Sequence, residues 1–151
     1  MSTAARIPIE QYFTTSYEPD VEFVNGEIEE RAVGEYDHSI VQWAILNWFR
    51  RHDKEWQTRS LQEQRTRLNS DTVRVPDVSV WARRVPVEPV FSNPQLMVIE
   101  VLSPEDRHVR MQTRIEDFRR FGVRTSGWLT RPDASGGTAR TATGRARTGS
   151  K

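Results

Sequence analysis

The apolar positions of this chain fall into two periodicities. "VEFVNGEIEE" (residues 21–30) reads as two short strands around Asn25-Gly26, a strong short-range hairpin signal. From Asp37, "DHSIVQWAILNWFRRH" repeats at a helical interval: Ile40, Val41, Ala44, Ile45, Trp48 and Phe49 make one broad stripe, and Asp37 is a suitable N-cap. "IPIEQYF" (7–13) predicts a short first helix with Pro8 near its first turn. "LQEQRTRLN" (61–69) is a weak strand. "TVRVPDVSVW" (72–81) and "QLMVIEVLS" (95–103) are apolar, β-branched runs that predict buried strands. "SPEDRHVRMQTRIEDFRRFG" predicts a helix with Ser103 as cap, Pro104 in the first helical position, Asp106 completing a capping box and Gly122 as the stop.

After Gly122 the pattern is lost. "VRTSGWLTRPDASGGTARTATGRARTGSK" is mostly Gly, Ala, Thr, Ser and Arg with no apolar period, so residues 124–151 are expected to be a disordered basic tail. Residues 1–123 form the expected folded domain. From Arg124 onward there are six Lys or Arg against one acid, Asp133, a net +5, which leaves the first 123 residues at −4. The body therefore lacks the strong basic footprint that dominates nucleic-acid affinity. Arg140, Arg145 and Arg147 permit the tail to act as a nucleic-acid-binding arm without specifying it.

Composition narrows the chemistry. The 151 residues are 36% hydrophobic and 28% charged, enough for one domain with a core. There is no cysteine, which excludes disulfides, thiolate metal sites and a cysteine nucleophile and fits a cytoplasmic chain. No apolar run approaches a membrane span, and "MSTAARIPIE" lacks the apolar stretch of a signal peptide.

Each core strand carries one misplaced acid. Val73, Val75 and Asp77 share a face of the first, and Leu96, Val98, Glu100 and Leu102 share a face of the second. Taken singly, each acid reads as a strand-end cap or the partner of an arginine. Two on successive core strands could lie close together if the strands are neighbours. One must then protonate unless a cation stands between them. A hard divalent ion suits oxygen ligands, and Mg²⁺ typically takes one or two carboxylates and keeps its waters.

The ordered set "YEPDVEFVNGEIEER", "DHSIVQWAILNWF", "LQEQRTRL", "RVPDVSVW", "MVIEVLSPEDR" and "FRRFGV" resembles the Uma2 family (DUF820) of the PD-(D/E)XK restriction-endonuclease-like superfamily, over about residues 5–123. The resemblance implies an α/β fold with a central mixed β-sheet flanked by helices. It implies Asp77 and Glu100 as metal ligands for Mg²⁺ or Mn²⁺, helped by the backbone carbonyl of Val101. Glu22 matches an acidic position of the family and is a further metal-ligand candidate, or else a hairpin-surface acid. The motif lysine would fall at Leu102. Relatives that lack it draw a cation from the next helix, at the position of Arg114 here. Arginine can stabilise phosphorane-like charge but does not readily give up a proton. Arg114 reads equally as a solvated helix residue. His38 matches a family histidine, although a histidine at a helix start is more often structural. The implied activity is metal-assisted hydrolysis of DNA phosphodiester bonds, in a protein that allows a homodimer and has no membrane partner.

Two other readings remain. The domain could keep the fold and an ion yet have lost cleavage, as Leu102 suggests. The chain could instead be a frameshift product. Relatives continue after "GV" into a strand resembling "xxWVVDP", and codons compatible with Thr125–Arg131, read one nucleotide earlier, can spell His-Ile-Trp-Val-Val-Asp-Pro.

Overall fold

The computed structural model describes residues 5–31, 34–102, 108–130 and 141–145. Helix α1 (Ile9–Thr14) leads into the hairpin β1 (Val21–Val24) and β2 (Glu27–Glu30). Asn25 (φ 52°) and Gly26 (φ 83°) both take positive φ, as the tightest hairpin turn demands. The turn is clamped from both sides, because Ile7 N–H donates to the Gly26 carbonyl and Gly26 N–H donates to that of Asp71. Ile9 and Tyr12 of α1 pack on Val21, Phe23 and Val73 to make one small core.

Helix α2 (Tyr36–Trp56) begins one residue before Asp37, so Asp37 lies in its first turn rather than at the cap, which is Glu35. The expected stripe is also displaced. The residues of α2 that are buried are Gln42 and Leu46, while Ile40 and Trp48 are about half exposed. The helix packs on β3 (Thr58–Gln62), β6 (Val78–Ala82) and β7 (Met97–Leu102) through a narrow edge of mixed polarity.

Two predicted strands are divided in the structure. The weak strand 61–69 resolves into β3 and β4 (Thr66–Asn69), and the valine-rich strand 72–81 into β5 (Thr72–Arg74) and β6. Pro76 cannot donate to a strand ladder, so the chain leaves one sheet at Val75–Asp77 and enters the other at Val78. The first sheet is antiparallel, in the order β2-β1-β5-β4. The second is the expected mixed sheet, in the order β3-β6-β7-β8-β9, with β8 (Thr125–Thr130) parallel to β7 and β9 (Thr141–Arg145) antiparallel to β8.

The predicted start of the third helix at Ser103–Asp106 lies outside the described residues. Helix α3 is described over His108–Phe121. Gly122 stops it at φ 106°, with Val123 N–H donating to the Phe118 carbonyl. Phe118 and Val123 bury with Val98 beneath α3, against Leu68 of β4.

Strand β8 corrects the expectation of an irregular tail from residue 124. Residues Thr125–Thr130 pair along the whole of β7, from Met97 opposite Thr125 to Leu102 opposite Thr130. Local composition gives this segment no strand pattern. The exposed edge of β7 supplies the hydrogen-bond partners that composition does not predict. Residues 131–140 and 146–151 lie outside the described residues.

Candidate active site

Where the chain passes between the two sheets, it sets Asp77 immediately before β6. The antiparallel register places Val78 opposite Ile99, so Asp77 falls beside Glu100 of β7. The two acids expected to meet do meet: Asp77 N–H points at Glu100 Oε2 at 3.4 Å. Both side chains are buried. Asp77 Oδ2 accepts from Val101 N–H at 2.6 Å, and Oδ1 lies 3.3 Å from His38 Nε2 and 3.9 Å from Arg31. The Asp77 carbonyl accepts from Gln42, the buried polar residue of α2.

Arg114 reaches into the same site from α3. It donates to Glu100 Oε1 at 2.7 Å and is hydrogen-bonded to Glu22 Oε2, linking residues 92 positions apart in sequence. Glu22 is 1% exposed, so it is a core residue rather than a hairpin-surface acid. Its Oε1 accepts from Val75 N–H at 2.6 Å, and its Oε2 is shared with Arg74 at 2.8 Å. Arg114 is likewise no solvated helix residue. Leu102, at the family's lysine position, is buried and supplies no charge.

Arg74 was not anticipated from sequence. It is 2% exposed, bonds Glu22 and Glu29 through Nη1, and grips Asp117 Oδ2 through Nε and Nη2 at 3.1 and 2.6 Å. Asp117 lies three residues after Arg114 on α3, so Arg74 ties the helix to the strand that presents the site. The only sequence signal is an arginine within a run of valines. Arg31 was also missed; it faces Asp20, Glu63 and Asp77 at 3.8–3.9 Å.

These contacts separate the carboxylates electrostatically. Burial pushes Glu100 up to about 7; Arg114 opposes that rise, while Asp77 and Glu22 add to it. Burial also raises Asp77, but hydrogen bonds from His38 and the Val101 N–H outweigh it and hold Asp77 below the usual carboxylate range. Glu22 is held low against its burial by Arg114, Arg74 and the Val75 N–H. Arg114 is raised by Glu100 and Glu22 despite its own burial. The acids and arginines line a cavity of about 190 Å³, with Val109 and Met111 of α3 along one side.

The donor chemistry suits a hard divalent cation. Two adjacent buried carboxylates, one of them raised to about 7 by its burial and further by its neighbours' negative charge, are the arrangement that such an ion relieves. Among the described residues no group of three or more His, Asp or Glu side chains is placed to hold a metal. Protein ligation would therefore rest on two carboxylates and backbone oxygen.

Antiparallel core strands that present a buried acid pair, with an arginine from the helix after them, place this chain among α/β proteins with a nuclease-like fold. The family model Uma2, described as "Putative restriction endonuclease", matches residues 9–136, and the chain belongs to that family. The match runs through β8, beyond the boundary expected at residue 123. In fold it is similar to a solved "putative nuclease belonging to DUF820" from Anabaena variabilis, with a TM-score of 0.76, 20% sequence identity, and coverage of 89% of this chain and 83% of that one. No curated protein matches the chain. Among the described residues no helix is long and apolar enough to cross a membrane.

Proposed function

We propose that this protein is a metal-dependent endonuclease that hydrolyses DNA phosphodiester bonds at Asp77 and Glu100. The observation that carries this reading is the placement of buried Asp77, just before β6, beside buried Glu100 of β7, with the half-buried Arg114 bonded to Glu100. Mg²⁺ or Mn²⁺ would be held by Asp77, Glu100 and the Val101 carbonyl. Glu22 is the further candidate ligand, although it would have to exchange an arginine for the ion. Such an ion lowers the pKa of a bound water and shields phosphate charge from the acids.

The protein's own groups do the rest. Val101 N–H and His38 fix the Asp77 carboxylate and keep it ionised. Glu22, itself fixed by Arg74 and the Val75 N–H, holds Arg114 beside Glu100, where its guanidinium can stabilise charge building on a phosphate. Arg114 stays charged, so it cannot serve as the base.

One observation favours a second reading, a nuclease fold that retains an ion without cleaving. Leu102 leaves the lysine position without a cation, and Arg114 is already committed to two acids. Nicking of supercoiled plasmid with Mg²⁺ or Mn²⁺ separates the two. The endonuclease reading expects nicking that Asp77→Asn abolishes. Absence of nicking alongside intact metal binding supports the second.

A further inference from the structure

Asp77 is a wall between two cavities. On one side lies the site of about 190 Å³ with Glu100 and Arg114, and on the other a second cavity of about 210 Å³, lined by Asp20, Gly34, Ser39, Gln42 and Glu63. Arg31 and His38, like Asp77, line both. Arg31 follows directly on β2, and its side chain is 16% exposed. Its guanidinium stands 3.8 Å from Asp20 and 3.9 Å from Glu63 and Asp77, longer than hydrogen bonds. Each of these acids has a closer partner: Arg65 at 3.0 Å for Asp20, the Gln42 amide at 3.4 Å for Glu63 and the Val101 N–H at 2.6 Å for Asp77. The acids therefore position Arg31 by charge and leave its fork of donors unspent on them. Arg114 differs, since its two terminal nitrogens donate to Glu22 and Glu100.

Resting on the endonuclease reading of Asp77 and Glu100, we propose that Arg31 is a substrate-binding residue that takes the backbone phosphate next to the scissile one, where the strand crosses Asp77 from one cavity into the other. The scissile phosphate belongs between Asp77 and Glu100, beside Arg114. Arg31 approaches this pair only at Asp77 Oδ1, on the side of the second cavity. A phosphodiester carries one negative charge over two free oxygens, and a guanidinium fork matches that pair. The first 123 residues carry a net −4, so a nucleic-acid strand entering among Asp20, Glu63 and Asp77 needs a cation at the point of entry. A contact to a phosphate that does not react is equally strong before and in the transition state, so it lowers KM without raising kcat.

The test compares the full chain with Arg31→Gln and Arg31→Lys. Arg31→Gln should raise KM for metal-dependent plasmid nicking about tenfold or more, with kcat little changed. Binding of a duplex oligonucleotide, followed by fluorescence anisotropy without divalent ions, should show the slope of log affinity against log salt reduced by about 1 in Arg31→Gln. Arg31→Lys keeps the charge but not the fork, so it should keep the slope and lose affinity. Mn²⁺ binding and the urea midpoint should match wild type in both variants. If the wild type binds DNA without nicking it, the endonuclease reading fails, and the slope still decides the role of Arg31. Equal slopes in wild type and Arg31→Gln overturn the proposal. So does a fall in kcat at unchanged KM, which puts Arg31 on the scissile phosphate, and so does a wild type that binds no DNA. Should Arg31→Gln fail to fold, Arg31→Lys decides, and an affinity equal to wild type overturns the proposal.

Discussion

Arg114 stands between Glu22 and Glu100, donating to one carboxylate oxygen of each, so a single guanidinium from α3 joins the hairpin to the core strand β7. Removing one partner of a buried ion pair leaves the others uncompensated. Arg114→Met should therefore destabilise the fold by about 3 kcal/mol or more, read from the urea midpoint. Arg114→Lys keeps the charge but loses the fork that spans two acids, and should recover only part of that loss. A midpoint unchanged in Arg114→Met would show that the bridge contributes nothing to the fold.

Glu100 gives the protein a stability profile with a definite sign. Its folded pKa, about 7, lies above its ordinary value, so across the interval between them the native state holds a proton that the unfolded chain has released. Stability should fall as pH rises from about 4.5 to about 7, with a slope of up to about 1 kcal/mol per unit from this group. Glu22 and Asp77 are shifted the other way, and their contribution is lost only below their ordinary range. Glu100→Gln should flatten the slope between pH 5 and 7, measured by urea unfolding without divalent ions. An equal slope in wild type and variant would contradict the placement of Glu100.

The sequence disclosed the acid pair because a carboxylate in a valine-rich strand has no ordinary place there, and the motif fixed which two would meet. It disclosed the hairpin through Asn25-Gly26 and the helix stop through Gly122 for the same kind of reason: few residues tolerate those backbone angles. Glu22 with Arg114 was visible only as two family positions, since nothing local signals a pairing across 92 residues. Arg74 was hidden, because an arginine in a strand reads as surface until tertiary packing encloses it with Asp117. The stripe on α2 was legible as amphipathic but not as outward-facing, since periodicity does not say which side meets the core. Strand β8 was hidden because β7 imposes it on a sequence without strand character.

Strand β8 carries a weakness that bears on its origin. Ser126 is buried opposite Val98, and a cavity of about 180 Å³ lies along the other face of the strand pair, where Met97, Ile99, Thr125 and Leu129 surround the side-chain-free Gly127. The frameshift reading accounts for both, since the shifted frame permits isoleucine at the position of Ser126 and tryptophan at that of Gly127. Ser126→Ile should stabilise the protein by about 1–2 kcal/mol, the scale of burying the added methyl and methylene groups. Expressing the shifted frame from codon 125 should stabilise it at least as much. A neutral or destabilising outcome in both would mark Thr125–Thr130 as native to this protein.

We propose that Asp77 and Glu100 together hold a divalent ion. Titration of the full chain with Mn²⁺, followed by the loss of the free-ion electron paramagnetic resonance signal, addresses it directly. Saturable binding is expected in the wild type, and loss of that binding in Asp77→Asn with Glu100→Gln, a variant that keeps the shape of both side chains. Equal binding in wild type and double variant, or no binding in the wild type, would contradict it.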